Sequence, residues 1–225
     1  MKQRPMTTTM PLRLLLPACL AASLLAFAPS AVLAQAAPAT SAEASPSKLV
    51  LDNSTRVLTT LESRRAEFSK DRAALRAFIS SEFNAMFDRD YAARQVLGRH
   101  ARDASDADVK LFADALADNL MQRYGSSLLD FNTKLRVKVK SETALPRGIG
   151  VKVATELQRT GAEAIPVDYL MRRNGGTWKA FDVMVEGVSF VQTFRQQFDS
   201  ELQSKSIKQV AAELRNGQIS ADAGK

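Results

Sequence analysis

Two aspartates and a single histidine are the residues of this chain best suited to chemistry. Asp168 lies in "IPVDYLMRR" and Asp182 in "TWKAFDVMVEGV", which read as neighbouring strands, and paired carboxylates in such a position can do general acid–base work. Asp168, however, is out of phase with the apolar residues of its strand. Asp182 shares the phase of Trp178, Ala180 and Met184, so it is expected to be partly buried. A buried aspartate is more often hydrogen-bonded or paired with an arginine than catalytic, and Arg172, Arg173 and Arg195 are candidate partners. His100 stands between Arg99 and Arg102, just after a helix end, with no second histidine to join it. It reads as a surface residue rather than a base or metal ligand. The run "GIGVKV" from Gly148 lacks the third glycine of a dinucleotide loop and precedes a strand. Asn53-Ser54-Thr55 matches a glycosylation acceptor on three residues alone. No motif here makes a convincing enzyme.

The bulk of the chain is that of an ordinary globular protein: 225 residues, 45% hydrophobic and 24% charged. Residues 1–36 read as an export signal, cleaved near Ala36. Lys2, Arg4 and Arg13 are followed by the apolar run Leu14 to Ala28 and by Ala34-Gln35-Ala36. Cys19, the only cysteine, falls inside that signal. It is either a passive member of the apolar run or, less in keeping with the run continuing past it, a lipidation site. Beyond the signal there is no cysteine, hence no disulfide, thiolate metal site or cysteine nucleophile. The net charge of +7 becomes +4 without the signal, from 28 basic and 24 acidic residues. That mild, dispersed excess argues against a nucleic-acid role, as does the lack of exposed aromatics beside the basic strand residues.

Behind the signal, residues 37–48 are Ala/Pro/Ser-rich and are expected to be a disordered leader. A single domain is expected over residues 49–215, with 216–225 as a flexible tail. Val57, Leu58, Leu61 and Phe68 share one face of a first helix. Asp71 caps a second bearing Leu75, Phe78, Ile79, Phe83, Met86 and Phe87; Asp88 or Asp90 caps a short third that stops near Gly98; Ser105 opens a fourth. The period then changes to two. "KLRVKVKSE", "GVKVATELQ", "IPVDYLMRR" and "TWKAFDVMVEGV" are four strands in series, the last two joined by the turn Asn174-Gly175-Gly176. Ser189 caps a helix with Phe190, Val191, Phe194, Phe198 and Leu202, and a last helix carries Ile207, Val210 and Leu214. The expected fold is α+β: a curved four-stranded antiparallel sheet packed with N-terminal and C-terminal helices.

This fold would bring together more apolar surface than a thin core needs. One sheet face presents Leu135, Val137, Val139, Val151, Val153, Val167, Tyr169 and Met171, and the fourth strand is apolar on both phases, with Phe181, Val183 and Val185 on one and Trp178 and Met184 on the other. Facing them are Phe83, Met86 and Phe87, then Phe190, Phe194 and Phe198. The surplus either fills a helix-on-sheet core or lines an apolar pocket, the usual form of a small-molecule site. Periodicity alone leaves both open.

Three stretches, "FDRDYAARQVLGRHARDAS", "LADNLMQRYGSSLLDF" and "IPVDYLMRRNGGTWKAFDVMVEGVSFVQTFRQQF", together resemble the MlaC (toluene-tolerance Ttg2) family. The last is the most specific, through Tyr169, Gly175, Gly176, Trp178, Lys179, Asp182, Gly187, Val188, Ser189 and Arg195. Ala101 departs from it, standing where the family commonly has a large aromatic. The resemblance implies a periplasmic phospholipid-binding protein with no cofactor and no catalytic residues, its ligand's tails held in an apolar lipid pocket. It also implies two partners: an outer-membrane lipoprotein complex (MlaA-like) and an inner-membrane ABC transporter whose MCE-domain subunit is MlaD-like. The pocket residues to expect are then Val137, Val139, Val153, Val167, Tyr169, Met171, Phe181, Val183, Val185, Phe190 and Phe194. A periplasmic chaperone or lipoprotein carrier, binding polypeptide in an open groove, is the alternative.

Overall fold

Ser45 starts the first helix. Its hydroxyl accepts the Lys48 amide at 3.3 Å, and Pro46, whose missing N–H costs nothing in a first turn, follows it into α1, Pro46–Ser63. The leader expected over 37–48 therefore does not run to its end, because residues 46–48 are helical; Ser-Pro acts here as a start signal. The computed structural model describes residues 44–129 and 134–222. The expected export signal and most of the leader lie outside them.

Helix α2, Arg65–Lys70, leads into α3, Arg72–Met86, where the Asp71 carboxylate accepts the amides of Ala73 and Ala74, both at 2.9 Å. Of the two aspartates that could cap α4, Arg89–Leu97, Asp88 does so, and Gly98 ends that helix at a φ of 56° open to glycine. Helix α5, Asp106–Tyr124, begins at Ser105.

Strands β1, Leu135–Ala144, β2, Val151–Arg159, β3, Ala162–Asn174, and β4, Thr177–Val185, form an antiparallel meander in chain order. A fifth strand, β5, Val188–Ser189, joins its end. The four strands expected become five because Glu186 and Gly187 both take positive φ, a tight reversal that folds two more residues back onto β4. Ser189 then caps α6, Phe190–Ser204, and Ser206 and Gln209 form a reciprocal capping box on α7, Ile207–Arg215. In the β1–β2 connection Gly150 passes so close to β3 that a Cβ there would lie 1.9 Å from the Met171 carbonyl oxygen. In "GIGVKV" Gly150 thus serves a close backbone approach in a hairpin, while Gly148 has open space around it and takes a φ of 67°.

Three apolar clusters hold these elements together among the described residues. The largest joins α4, α5, α6 and α7 around Phe112, Phe198, Val210 and Leu214. A second, Val50, Met86, Val153, Met171 and Ala180, lies between helices and sheet. A third gathers Leu61, Phe68, Leu75 and Leu129.

The segment beyond α7 departs from the flexible tail expected at 216–225. Residues 219–221 pack against the helices, and Ala221 is fully buried. Asn119, itself buried in α5, donates to the carbonyls of Leu214 at 2.8 Å and Ile219 at 3.3 Å and accepts the Ala221 amide at 2.9 Å. Gln197 donates to the Ser220 carbonyl at 2.6 Å. These partners lie far off in sequence and are invisible to a composition reading. Asn119→Ala removes three hydrogen bonds and leaves the buried Ala221 amide without its acceptor, so a loss of about 2 kcal/mol is expected, together with cleavage after α7 under limited proteolysis that spares the parent.

Candidate functional site

Along one stripe of α1, Val50, Ser54, Val57, Leu58 and Leu61 recur at helical spacing. Val50 belongs to the second cluster and Leu61 to the third. Between the two clusters the stripe does not close on the sheet. A cavity of about 180 Å³ remains, lined by Asn53, Ser54, Val57 and Leu58 of α1 and by Val137, Thr155, Leu157, Val167 and Tyr169 of the sheet. A larger recess of about 540 Å³ is lined by six residues that all belong to α1, a hollow along one helix surface with no second wall among the described residues.

Strand register explains why those sheet residues meet. Val137 pairs with Leu157, Thr155 with Val167, and Val153 with Tyr169, and directly paired residues share a face. Thr155 spends its hydroxyl inside the sheet, donating to the Val167 carbonyl at 2.6 Å. Asn53 donates to Glu82 of α3 at 2.8 Å, and the same carboxylate holds Arg56 of α1 at 2.7 Å. The hydroxyls of Ser54 and Tyr169 face each other at 3.4 Å.

Of the residues expected to line a pocket, Val137, Val167 and Tyr169 do line this cavity. Val139 shares the face, pairing with Thr155 and packing on the second cluster. Val183 and Val185 lie across from Tyr169 and Val167 on β4, one strand beyond the lining. Val153 and Met171 are fully buried in the cluster that closes one end. Phe181 turns elsewhere: β4 has a bulge beside it, and its ring meets Tyr91 of α4 edge-on at 5.3 Å. Phe190 and Phe194 belong to the helical cluster, away from the cavity lining. Sequence reasoning missed Asn53, Ser54, Val57, Leu58, Thr155 and Leu157 as lining. The apolar phase of Val57, Leu58 and Leu157 was visible; that α1 lies over β1 and β2 was not.

The two aspartates are not at the cavity. Asp168 pairs with Ala154 and Asp182 with Leu170 in register, which puts both on the opposite face of the sheet. Asp168 holds Lys152 at 3.4 Å. Asp182 finds none of the arginines expected. Its carboxylate accepts the Ser189 hydroxyl at 2.5 Å and the Val191 amide at 3.0 Å, tying β4 to the start of α6. Burial pushes its pKa above the ordinary 3.8, with these hydrogen bonds pulling the other way. A carboxyl whose pKa is raised on folding contributes stability at low pH that is lost as pH rises through the folded value. Asp182→Asn should therefore flatten a fall in stability that the parent shows from about pH 4 upward, read as denaturation midpoints across that range. His100 is half-buried rather than a bare surface residue, its Nε2 3.0 Å from Asp199 of α6.

A protein-family model described as "MlaC protein" matches residues 51–216. The chain belongs to the MlaC family. It is similar to the "Toluene tolerance protein ttg2D" of Pseudomonas putida, 26% identical over 192 residues, covering 81% of this chain and 87% of that one. A solved structure from Ralstonia solanacearum, described as a phospholipid-binding protein in complex with a phospholipid, superimposes with a TM-score of 0.68 at 18% identity, over 78% of this chain and 98% of that one. It shares the fold. The MlaC match takes in α1 from Leu51 onward and ends just past α7, so both walls of the cavity belong to the family's domain.

Two of the stretches that carry the MlaC resemblance meet in space. The buried Asp88 carboxylate accepts Arg172 at 2.5 Å, Asn174 at 3.0 Å and the Tyr91 amide at 3.2 Å, while the Arg172 guanidinium lies 4.2 Å over the Tyr91 ring. The Asp88 amide donates to the Ala180 carbonyl at 2.8 Å. Helix α4 is thereby joined to β3 and β4. Arg195 does the same between helices, donating to the Gln95 carbonyl at 2.6 Å beneath Gly98, whose missing side chain leaves room for it.

Proposed function

We propose that this protein is a periplasmic carrier of phospholipids that shuttles them between an outer-membrane lipoprotein complex and an inner-membrane ABC transporter, maintaining outer-membrane lipid asymmetry. The observation that supports this best is the cavity between α1 and the sheet, its apolar walls continuous with two apolar clusters, in a chain of the MlaC family. The fold-sharing Ralstonia solanacearum protein was solved with a phospholipid. Physical need agrees. A diacyl lipid has on the order of 30 methylenes, and at about 0.8 kcal/mol each their exposure to water costs up to ~24 kcal/mol, so such a lipid does not cross an aqueous space unaided. Transfer makes and breaks no covalent bond, and no catalytic group is required of the carrier. At about 180 Å³ the cavity is below the roughly 300–1,000 Å³ of ordinary ligand pockets. Loading on this reading moves α1 off the sheet. That motion parts Val50 from the second cluster, while Arg56 and Asn53 keep the helix tied to Glu82 of α3.

Mass spectrometry of an organic extract of the purified protein, beside an unrelated exported control, tests the proposal. Stoichiometric phospholipid is the expected result. An extract no richer than the control overturns it, and capture of unfolded polypeptide by the same preparation turns the reading to a chaperone.

A further inference from the structure

The cavity has a polar end. Ser54 interrupts the apolar stripe of α1 and is buried there, and Tyr169 interrupts the run Val167, Met171 on the sheet face beneath it. Their hydroxyls are 3.4 Å apart, and neither has another side-chain partner among the described residues. Hydroxyl pairs that bond well sit near 2.7–2.8 Å. One hydroxyl donates to the other across this long contact, and the second hydroxyl's donor has no acceptor side chain among the described residues, in a place where an unsatisfied donor is costly. Burial pushes the Tyr169 pKa up, so its hydroxyl keeps its proton. The other polar side chains of the lining are committed elsewhere, Thr155 to a sheet carbonyl and Asn53 to Glu82. From this end the lining runs along the sheet past Thr155 and Val167 to Leu157 and Val137, which are apolar. Leu157 lies four positions along β2 from Val153, the partner of Tyr169, a span of about 13 Å at strand spacing.

An amphiphilic cavity fits an amphiphilic ligand in one direction. We infer that Ser54 and Tyr169 form a subsite for the ester carbonyl of an acyl lipid, both hydroxyls donating to that one oxygen while the chain extends toward Leu157. The inference rests on the carrier reading and deepens it. It means that the protein distinguishes acyl esters from alkyl ethers of the same length and head group, since the ether lacks the carbonyl and leaves the two hydroxyls only their long contact with each other.

Purified protein equilibrated with excess vesicles of dipalmitoyl phosphatidylglycerol and its dihexadecyl ether analogue in equal amounts, then re-isolated, reports the choice as an ester-to-ether ratio. A ratio of about ten is expected for the parent, the size of one to two net hydrogen bonds. Tyr169→Phe and Ser54→Ala should each bring it toward one, and Ser54→Thr, which keeps a hydroxyl, should restore the preference. The ratio does not depend on how much lipid a variant captures. A parent ratio of one overturns the subsite, as does a ratio that Tyr169→Phe leaves unchanged, and the carrier reading survives either. Capture of neither lipid overturns both.

Discussion

Val137→Trp and Leu58→Trp should each give a folded protein that captures at least about tenfold less phospholipid than the parent. The two residues face each other across the cavity from β1 and α1, and an indole from either side occupies the volume that a chain would enter. Overpacking a filled core costs typically 1–3 kcal/mol, but here the added ring has about 180 Å³ to enter and β1 is the first strand of the sheet. Stability within about 1 kcal/mol of the parent is therefore expected, checked by thermal melting before lipid is counted. Val153→Glu makes the contrast. Val153 is fully buried among Val50, Met86, Met171 and Ala180, and a lone charge there unfolds the domain instead of blocking a site. Full lipid occupancy in a folded Val137→Trp would place the ligand elsewhere.

Asp88→Ala should lower the thermal midpoint by about 5–10 °C, the equivalent of roughly 2–3 kcal/mol. Three donors converge on this carboxylate, and its side chain is 7% exposed. Breaking a fully buried pair costs 3–5 kcal/mol. Arg172 is 31% exposed and can turn partly to water, which lowers the figure. The loss of the helix cap adds to it. Asp90→Ala, at an exposed position in the same turn, should move the midpoint by about a degree at most. If the two variants melt together, the Asp88 junction does not hold α4 to the sheet.

Local signals were the legible part of this chain. Asp71, Ser105 and Ser189 cap where a carboxylate or hydroxyl precedes an apolar period, and the strands alternate because one face is covered. A period tells which residues share a face but not what the face meets. Phe190 and Phe194 therefore read as sheet-facing although they join the cluster of α4, α5, α6 and α7. The bulge in β4 separated Phe181 from Val183, with which strict alternation had grouped it. Asp182 reads as an arginine partner when only side chains are counted, whereas its partners are a hydroxyl and a backbone amide. The buried end of the chain hangs on Asn119, about a hundred residues away. Val137, Val167 and Tyr169 line the cavity under α1 whereas Phe190 and Phe194 do not, because a period names a face and not the element that covers it.

The division of the apolar interior into three clusters also governs how the molecule comes apart. Opening the seam between α1 and the sheet breaks contacts of the second cluster and leaves the α4–α7 cluster whole. Amide hydrogens of α1 and β1 thus exchange with solvent through local opening, at a lower free energy than those of α5 and α7, which wait for global unfolding. On the carrier proposal, handing over a greasy cargo and losing the native state are separate events. A molecule built this way can gape repeatedly at a membrane without presenting its main core to aggregation.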